Sequence, residues 1–368
     1  MKILFVLEYY APYIGGAESL FRTLCEGLAS RGHKITVLTR RFGTTKEQEV
    51  INNVDIRRIR TFNRLGFAFI AWLHVWRFAR KVDLVHTATF LSAFPAWFGV
   101  LLARKPCSIT VHEVWGDFWK RIVRLHWIWR YIERFILNRS FKVFIANSNY
   151  TKKQLVSVRK KPAKIEVVYP GLDYEIFNPE NVEVDWLKRE YDLKNNDVFL
   201  YFGRPGYSKG VVDLIQIWAR YASVNPNARL VLLMSGSPEV IYRKIQMLID
   251  KLDIRASIIE VDSVSKKGLV NYIGGADCVI VPSESEGFGF SALEAAAVGK
   301  PLIVRKVASL PEVLSEYEGV TYFTTQDECI AQMSAVLKMR KSYAPYKAFG
   351  IPEMIDAHDK IFRSILKS

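Results

Sequence analysis

The sequence has few cysteines and no pattern that would bring them together. Its four cysteines are far apart, with no Cys-x-x-Cys pair and no matching histidine spacing. A disulfide framework or a zinc site therefore has no support. We expect all four, Cys25, Cys107, Cys278 and Cys329, to be core thiols in a reducing compartment.

Long hydrophobic runs are also lacking. The apolar stretch after Lys2 ends at Glu8, which is too short for a signal peptide. The longest apolar run, residues 88–103, contains Pro95 and is shorter than the roughly 20 residues of a spanning helix. We expect this run to be a buried strand end and a helix, and the protein to stay in the cytoplasm.

Several motifs of metal and nucleotide chemistry are absent. The sequence contains no Asp-x-Asp, no His-Glu-x-x-His and no Gly-x-x-x-x-Gly-Lys-Ser/Thr segment. Metal-dependent sugar transfer and Walker-type hydrolysis lose support accordingly. We expect neither a metal nor a separate cofactor.

Positive charge is present in excess, but only in the first half. Residues 1–170 carry 29 Lys and Arg against 11 Asp and Glu, a net charge of +18, and residues 171–368 carry 23 against 26. This asymmetry favours an anionic partner of the first half, such as an anionic membrane surface or a nucleic acid.

Short apolar runs alternate with amphipathic helical patterns along the whole chain. At 368 residues, half of them hydrophobic, the chain has room for two domains. The alternation predicts an α/β protein with two Rossmann-like, doubly wound parallel sheets that face each other across a cleft. The expected domains are 1–170 and 171–345, with a helical segment over 346–368 that packs back toward the first domain.

The predicted strands fall into two series. In the first domain they are 2–7, 35–39, 84–86, 108–112 and 143–147, and in the second they are 198–202, 229–234, 257–261, 278–282 and 301–305.

Two cations follow the first strand of the second series. Arg204 and Lys209 lie between this strand and the helix that Gly210 opens. A helix start offers free N–H groups and a partial positive charge, and two cations there could neutralise a diphosphate without a metal. Ordinary surface cations on a loop are the alternative.

A more specific pattern runs from Ser283 to Ala295, again between a strand and a helix. Its glycines allow close approach of backbone amides to a ligand, Glu286 lies in the loop, and Glu294 lies in the helix. Carboxylates accept hydrogen bonds from hydroxyls, so this pair suits a sugar and a ribose. Acidic residues near the positive end of a helix are the simpler interpretation.

The first domain supplies two further candidates. Gly15 and Gly16 form a turn between the first strand and the first helix, and His112 ends the strand 108–112. The glycines are also compatible with a plain helix cap, and His112 with a satisfied buried histidine.

Taken together, these residues resemble the retaining GT-B glycosyltransferases of glycosyltransferase family 4. The resemblance runs along most of the chain in matching order and spacing. It is carried by Pro12 to Glu18, Asp83 to His86, Thr110 to Glu113, Ala146 to Lys152, Val168 to Asp173, Gly203 to Gly210 and the Glu-x7-Glu motif from Glu286 to Glu294.

The resemblance implies roles for individual residues. Arg204 and Lys209 would hold the diphosphate of a nucleotide diphosphate sugar, and Glu294 the ribose. Glu286 would hold the transferred hexose, together with the amides of Gly287, Phe288 and Gly289. Val264 would contact the base, Gly16 the phosphate and His112 the reacting face of the sugar, after closure of the two domains. Retention of the anomeric configuration is likewise implied by the family.

Two aromatic and basic stripes suggest where an acceptor binds. Residues 118–136 and 62–79 each place apolar side chains at helical spacing among arginines. They are either core-facing helices or an interfacial surface for a glycan or lipid-linked acceptor on an anionic membrane. The residues of that surface would be Trp72, Trp76, Arg121, Arg124, Trp129 and Arg130.

Other functions remain open at this stage. An epimerase or phosphorylase of the same fold would share the donor motifs, and a basic nucleic-acid-binding protein would share the charge. No recognition helix or RNA-binding motif accompanies that charge. The favoured function is therefore transfer of a mannose-type or glucose-type hexose from a GDP- or UDP-linked donor, by a peripheral protein on the cytoplasmic face of a membrane.

Overall fold

The computed structural model describes residues 1–13, 15–183, 185–339 and 341–367. The chain divides into two compact units. Unit 1 comprises residues 1–171 and 349–368, and unit 2 comprises residues 172–348.

Unit 1 contains, over its described residues, an eight-stranded sheet in the order β3-β4-β2-β1-β5-β6-β7-β8. The strands are β1 (Lys2–Val6), β2 (Lys34–Arg40), β3 (Gln48–Ile51), β4 (Val54–Ile59), β5 (Leu84–Ala88), β6 (Cys107–Val111), β7 (Val143–Ala146) and β8 (Ile165–Val167). The helices between them are α1 (Gly16–Ser30), α2 (Arg64–Ala79), α3 (Ala93–Ala103), α4 (Trp119–Ile122), α5 (His126–Leu137) and α6 (Asn149–Val158). All neighbouring strands are parallel except β3, which is antiparallel to β4.

The central strands of unit 1 are short apolar runs because both faces of the sheet are covered by helices. Every residue of β5, β6 and β7 is buried. His86 is one of two buried polar residues of β5, and its two ring nitrogens lie 2.8 Å from Ser108 Oγ and 3.0 Å from Thr110 Oγ1. Side chains of the next strand therefore satisfy this buried imidazole.

Unit 2 contains a second parallel sheet, six-stranded over the described residues, in the order β11-β10-β9-β12-β13-β14. Its strands are β9 (Asp197–Phe202), β10 (Ala228–Leu233), β11 (Ile258–Val261), β12 (Cys278–Val281), β13 (Leu302–Arg305) and β14 (Val320–Phe323). Its helices are α7 (Trp186–Glu190), α8 (Val211–Ala222), α9 (Glu239–Lys251), α10 (Lys266–Gly275), α11 (Phe290–Ala297), α12 (Leu310–Val313) and α13 (Gln326–Met339).

The last helix, α14 (Ile351–Lys367), belongs to unit 1. Phe362 is fully buried, with its ring 6.2 Å from Phe5 and 5.2 Å from His86. At the rim, Asp359 lies 3.1 Å from Nε2 of His33. Aromatic packing and this polar contact thus fasten the C-terminal helix to the sheet of unit 1.

Every predicted strand is present, with ends that differ by no more than two residues from the prediction. Four strands, β3, β4, β8 and β14, were not predicted. The prediction of one helix through residues 118–136 is wrong, because Val123, Arg124 and Leu125 are not helical and separate α4 from α5.

The four cysteines are buried and none is in a disulfide. Within the described residues, no helix combines the length and the apolar character needed to cross a bilayer.

Candidate active site

Two loops lie side by side at the carboxyl edge of the sheet of unit 2. Loop A (residues 203–210) follows β9, and loop B (residues 282–289) follows β12, the strand next to β9. The amides of Glu284 and Ser285 donate to the carbonyl oxygen of Ser208, at 2.7 and 3.3 Å. The loops therefore form one connected surface where ligands of parallel α/β sheets usually bind.

Two glycines are required for this close approach. Gly210 has φ +66°, and a Cβ atom there would lie 2.0 Å from the carbonyl oxygen of Pro282. Gly289 has φ +99°, and a Cβ atom there would lie 2.5 Å from Leu310. Both positions have a left-handed backbone that favours glycine, and at Gly210 a side chain would also force loop A away from the backbone of loop B.

An ion pair joins the two loops. Lys209 Nζ donates to Oε1 of Glu286 at 2.6 Å, and Ser283 Oγ donates to the same oxygen at 2.9 Å. The Glu286 side chain is 9% exposed and that of Lys209 is 33% exposed. Burial of a carboxylate is costly without hydrogen-bond and charge partners, and Lys209 and Ser283 supply them here.

The backbone of Glu286 has a hydrogen-bond partner of its own. Ser309 Oγ donates to its backbone carbonyl at 2.9 Å. In the part of the chain that the structure describes, no donor reaches Oε2, the second carboxylate oxygen. Among the described residues, the side chain is thus held through Oε1 alone.

Tyr201 places a buried hydroxyl beside this pair. It lies near the end of β9, is 3% exposed, and its hydroxyl has no hydrogen-bond partner among the described residues. Burial and the negative charge of Glu286 raise the pKa of this phenol. An unsatisfied buried hydroxyl is costly unless a ligand supplies its partner.

Glu294 lies in α11, one turn beyond the residues that open the helix. Its partial burial raises its pKa to about 7, while the positive charges of Lys266 and Lys209 act in the opposite direction. Without a ligand, this carboxyl therefore takes up a proton at a higher pH than an exposed glutamate does. Val264, in the loop before α10, is exposed.

Arg204 is exposed in loop A, and Lys209 precedes the first turn of α8.

Arg305 contacts the backbone of loop B, because its Nε donates to the carbonyl oxygen of Pro282 at 3.0 Å. The same guanidinium forms an ion pair with Asp213 in α8. Arg305 thus connects loop B to the helix that follows loop A.

In unit 1, the glycine turn opens α1. Gly15 is the N-cap, in an extended conformation, and its carbonyl accepts from the amide of Ser19 at 2.9 Å. Gly16 is the first helical residue and is exposed. Ile14, within the same motif, lies outside the described residues.

His112 follows β6 at the carboxyl edge of the unit 1 sheet. Its ring packs edge-on against Phe21 at 5.4 Å, and burial lowers its pKa to about 4. Its backbone carbonyl accepts from Asn147 Nδ2 at 2.9 Å, and its Nε2 is buried with no partner among the described residues. The imidazole is therefore neutral at physiological pH, and one of its nitrogens is unsatisfied.

As for metal ligands, the described residues contain no group of three or more His, Cys, Asp or Glu side chains positioned to hold an ion.

Models of two families match the chain. Residues 14–176 match Glycosyltransferase Family 4, and residues 185–350 match Glycosyl transferases group 1. Together they cover most of the chain. The protein is a GT-B glycosyltransferase of the group 1 family.

Two curated relatives match over nearly the full length. An uncharacterized glycosyltransferase of Methanocaldococcus jannaschii is 26% identical over 356 residues, covering 90% of this chain and 87% of the relative. The alpha-monoglucosyldiacylglycerol synthase of Acholeplasma laidlawii is 23% identical over 363 residues, with the same coverage of 90% and 87%.

Solved structures share the fold. Sucrose-phosphate synthase from Thermosynechococcus elongatus has a TM-score of 0.83 at 18% identity and covers 100% of both chains. HepE from Anabaena, in complex with UDP-glucose, has a TM-score of 0.81 at 18% identity and covers 99% of this chain and 100% of its own. These similarities establish the GT-B architecture of the glycosyltransferase.

The predicted acceptor-side residues have mixed environments in this glycosyltransferase. Arg121 and Arg124 are exposed, and Arg130 pairs with Asp117 at 2.7 Å. Trp129 stacks on Trp119 at 5.6 Å.

The α2 stripe also divides between core and surface. Trp72 packs edge-on against Phe98 at 5.1 Å, whereas Trp76 is 37% exposed. The buried side chains of α2 are Phe67, Ala68, Ala71, Val75 and Ala79, and of these only Ala79 belongs to the predicted stripe.

Sequence reasoning missed the groups that support Glu286. No motif in the sequence marks Ser283 or Ser309, and Tyr201 falls within an apolar pattern that is typical of a buried strand. Only the position of Tyr201, one residue before the end of β9 and next to loop A, could have marked it. The supporting role of Arg305 depends on strand order, which the motif spacing does not contain.

Proposed function

We propose that the protein transfers a mannose-type or glucose-type hexose from a GDP- or UDP-linked nucleotide sugar to a hydroxyl of a glycan or lipid-linked acceptor, in glycan or glycolipid biosynthesis. The observation that carries this proposal is the Lys209–Glu286 pair, set in two glycine-dependent loops at the carboxyl edge of the unit 2 sheet. The donor therefore binds in unit 2.

The donor diphosphate is the proposed partner of Lys209 and Arg204. Breaking the bond between sugar and phosphate leaves growing negative charge on the diphosphate. The two cations and the start of α8 supply positive charge close together. This charge stabilises the transition state for breaking the sugar–phosphate bond without a metal ion.

The sugar and the ribose are assigned to the two glutamates. Glu286, held through Oε1, offers Oε2 to a hydroxyl of the transferred hexose. The amides of Gly287, Phe288 and Gly289 supply donors next to it. Glu294 takes the ribose hydroxyls, and the nucleotide base lies against Val264.

Retention of configuration is part of the proposal and rests on the family resemblance. The acceptor hydroxyl attacks on the face from which the diphosphate leaves, and a diphosphate oxygen takes its proton. Roles for Gly15, Gly16 and His112 in unit 1 are proposed on the same basis. A neutral His112 suits that role, because it adds no positive charge near a sugar that is itself becoming positive.

The similar proteins support both substrates. A structure of HepE contains UDP-glucose, and the Acholeplasma relative is named as the synthase of a glucosylated diacylglycerol. A nucleotide sugar donor and a lipid acceptor are thus each represented among them.

Exposed apolar side chains in unit 1 support a membrane-bound acceptor. On and before α2, Phe62 is 102% exposed, Phe69 68% and Leu73 48%, and near the start of α5 Trp127 is 62% exposed. Arginines flank both segments, and residues 1–170 carry a net charge of +18. We propose that this face binds an anionic bilayer, which would make the protein peripheral on the cytoplasmic side.

The test is thermal unfolding of the protein with UDP, GDP and ADP in turn. A nucleotide that binds the native state raises its stability by RT ln(1 + [L]/Kd), so a tighter ligand at the same concentration stabilises the protein more. Stabilisation by UDP or GDP, followed by sugar transfer from the matching glucose or mannose donor, is the expected result. If no nucleotide stabilises the protein, the proposed donor site is wrong.

A further inference from the structure

A cluster of aromatic rings and arginines lies at the carboxyl ends of β1 and β2 in unit 1. The rings of Tyr9 and Tyr13 stack at 4.3 Å with an interplanar angle of 14°. Phe42 meets both edge-on, at 5.9 and 5.5 Å. All three side chains are partly exposed, so the cluster presents an aromatic surface to solvent.

Of the two arginines of the cluster, only Arg64 pairs with a carboxylate among the described residues. Arg64 lies over the Tyr9 ring at 5.9 Å and pairs with Glu8. Arg40 lies over the same ring at 5.2 Å and donates through Nη2 to the Tyr9 hydroxyl at 3.2 Å. Among the described residues no carboxylate pairs with Arg40, and its buried Nε has no acceptor.

The backbone beneath the cluster is held rigidly. Thr39 Oγ1 and the amide of Arg40 both donate to the carbonyl oxygen of Glu8, at 3.1 and 3.2 Å. Arg58, whose side chain is fully buried, donates to the carbonyl oxygen of Ala11 at 2.7 Å. The segment that carries Tyr9 is thus fixed before any ligand arrives, which lowers the entropic cost of binding.

We propose that this cluster, formed by Tyr9, Tyr13, Phe42, Arg40 and Arg64, binds an acceptor that is a phosphorylated sugar or cyclitol. Tyr13 and the arginines cover the Tyr9 ring, so the apolar face of a six-membered ring would stack on the side of Tyr13 that faces away from Tyr9. A phosphate supplies the acceptor oxygen that Arg40 Nε lacks, and guanidinium pairs with phosphate through two parallel hydrogen bonds.

This inference rests on the proposed function, since it names the acceptor of that transfer. The cluster lies at the carboxyl edge of its sheet, the edge that also carries His112. Arg64 is the first residue of α2, the helix with the exposed apolar face. A phosphorylated headgroup at a bilayer and a free sugar phosphate present the same chemistry to Arg40.

The experiment compares Arg40→Gln with Arg41→Gln by calorimetric titration in the presence of saturating UDP. Arg41 is a matched control because its Nε donates to the carbonyl of Thr45 and its charge pairs with Glu47. The soluble probes are glucose, glucose 6-phosphate and inorganic phosphate. Vesicles of phosphatidylcholine with and without phosphatidylinositol form the lipid arm.

We expect the wild-type protein and Arg41→Gln to bind a phosphorylated probe more tightly than glucose, and Arg40→Gln to bind it roughly tenfold or more weakly, with UDP affinity unchanged. Binding of glucose 6-phosphate assigns the site to a free sugar phosphate. Binding only of phosphatidylinositol vesicles assigns it to a lipid headgroup.

A second variant tests the aromatic surface. Tyr13→Leu is expected to weaken binding of glucose 6-phosphate but not of inorganic phosphate. The inference is overturned if Arg40→Gln binds every probe as the wild type does, or if no phosphorylated probe binds the wild-type protein. Failure of the wild-type protein to bind UDP would overturn the proposed function instead.

Discussion

Lys209 and Glu286 come from different loops, and their side chains meet at 2.6 Å beside the start of α8. The pair serves the fold and the proposed chemistry at once. It neutralises a carboxylate that is largely buried, and it holds a cation where a diphosphate would lie. Substitution of either partner therefore affects more than one property.

Removal of the cations is the first test. We expect Lys209→Ala and Arg204→Ala each to lower sugar transfer by at least about a hundredfold, because each removes charge that stabilises the leaving diphosphate. Lys209→Ala should also lower the free energy of unfolding by about 1–3 kcal/mol, since Glu286 loses its partner. Turnover with a nucleotide sugar and denaturant unfolding measure the two effects.

Lys244→Ala is the matched control for this test, because Lys244 is an exposed lysine of α9 in the same unit. Normal turnover in Lys209→Ala or Arg204→Ala would contradict the assignment of the diphosphate site. A similar loss in Lys244→Ala would point to a general effect of charge.

The second prediction concerns pH and Glu294. With a pKa raised to about 7, this carboxyl becomes protonated as the pH falls below neutrality and then accepts ribose hydrogen bonds less well. We expect nucleotide affinity to rise from about pH 6 to about pH 8.5 in the wild type, with a midpoint near 7. Titration calorimetry at several pH values measures it.

Glu294→Gln separates this effect from protonation of the nucleotide itself, because the amide does not titrate. Its profile should lack the step assigned to Glu294. The effect of Glu294 on the stability of the free protein runs in the opposite direction with pH. Because its pKa in the folded protein exceeds its pKa in the unfolded chain, the stabilising contribution of this group is present at low pH and is lost as the pH rises through about 7. Identical affinity profiles for the two proteins would refute the role of Glu294.

The third prediction concerns the unsatisfied hydroxyl of Tyr201. Tyr201→Phe removes a buried polar atom that has no partner in the described structure, so we expect the stability of the free protein to be unchanged or to rise by up to about 1 kcal/mol. If the donor satisfies this hydroxyl, affinity for UDP-glucose or GDP-mannose should fall by about three- to tenfold.

Tyr322→Phe is a suitable control, since the Tyr322 hydroxyl is also buried and unpartnered among the described residues but lies on β14, two strands away from β12. Equal donor affinity in Tyr201→Phe and the wild type would show that the hydroxyl has no part in binding.

The fourth prediction is structural. In Gly210→Ala the new methyl group would meet the backbone of Pro282, and alanine at φ +66° is itself strained. We expect a loss of roughly 2–4 kcal/mol in unfolding free energy and loss of donor binding, since loops A and B must separate. Gly236→Ala has open space around it and should behave as the wild type. Wild-type stability in Gly210→Ala would mean that the two loops are not closely joined.

Part of this site could be predicted from sequence because its motifs coincide with strand ends. The strands before loops A and B are continuous apolar runs, and the glycines and charges follow directly, so position along the chain gives position at the sheet edge. What sequence could not supply is the contact between the loops. The Lys209–Glu286 pair spans 77 residues and exists because β9 and β12 are neighbours.

The unpredicted strand β4 shows a different limit. It contains Asp55, Arg57 and Arg58, which is unusual for a buried strand, yet the terminal nitrogens of Arg58 pair inside with Glu49 and donate to the carbonyl oxygen of Ala11. Helix α2 shows a third limit. Apart from Arg64, His74 and Arg77 it has no charged or strongly polar side chain, so helical spacing alone could not tell the core face of Phe67 and Val75 from the exposed face of Phe69.

The fifth prediction concerns that exposed face. We expect the protein to co-sediment with phosphatidylglycerol-containing vesicles at low salt and to dissociate as salt is raised, because screening weakens attraction between arginines and anionic lipid. Replacing Arg121, Arg124 and Arg130 with Gln should weaken binding. Phe69→Ser combined with Trp76→Ser should weaken it by a further factor of roughly ten or more, through loss of buried apolar area.

The control for the apolar variant is Val240→Ser, which changes a side chain on α9 of unit 2 that is about as exposed as Phe69. It should bind vesicles as the wild type does. The arginine and apolar variants also separate two modes of attachment, since electrostatic adsorption alone depends on the arginines and not on Phe69 or Trp76. If the wild-type protein fails to bind anionic vesicles at low salt, the acceptor does not reach the enzyme through this face, and only the soluble acceptors of the proposed reaction remain.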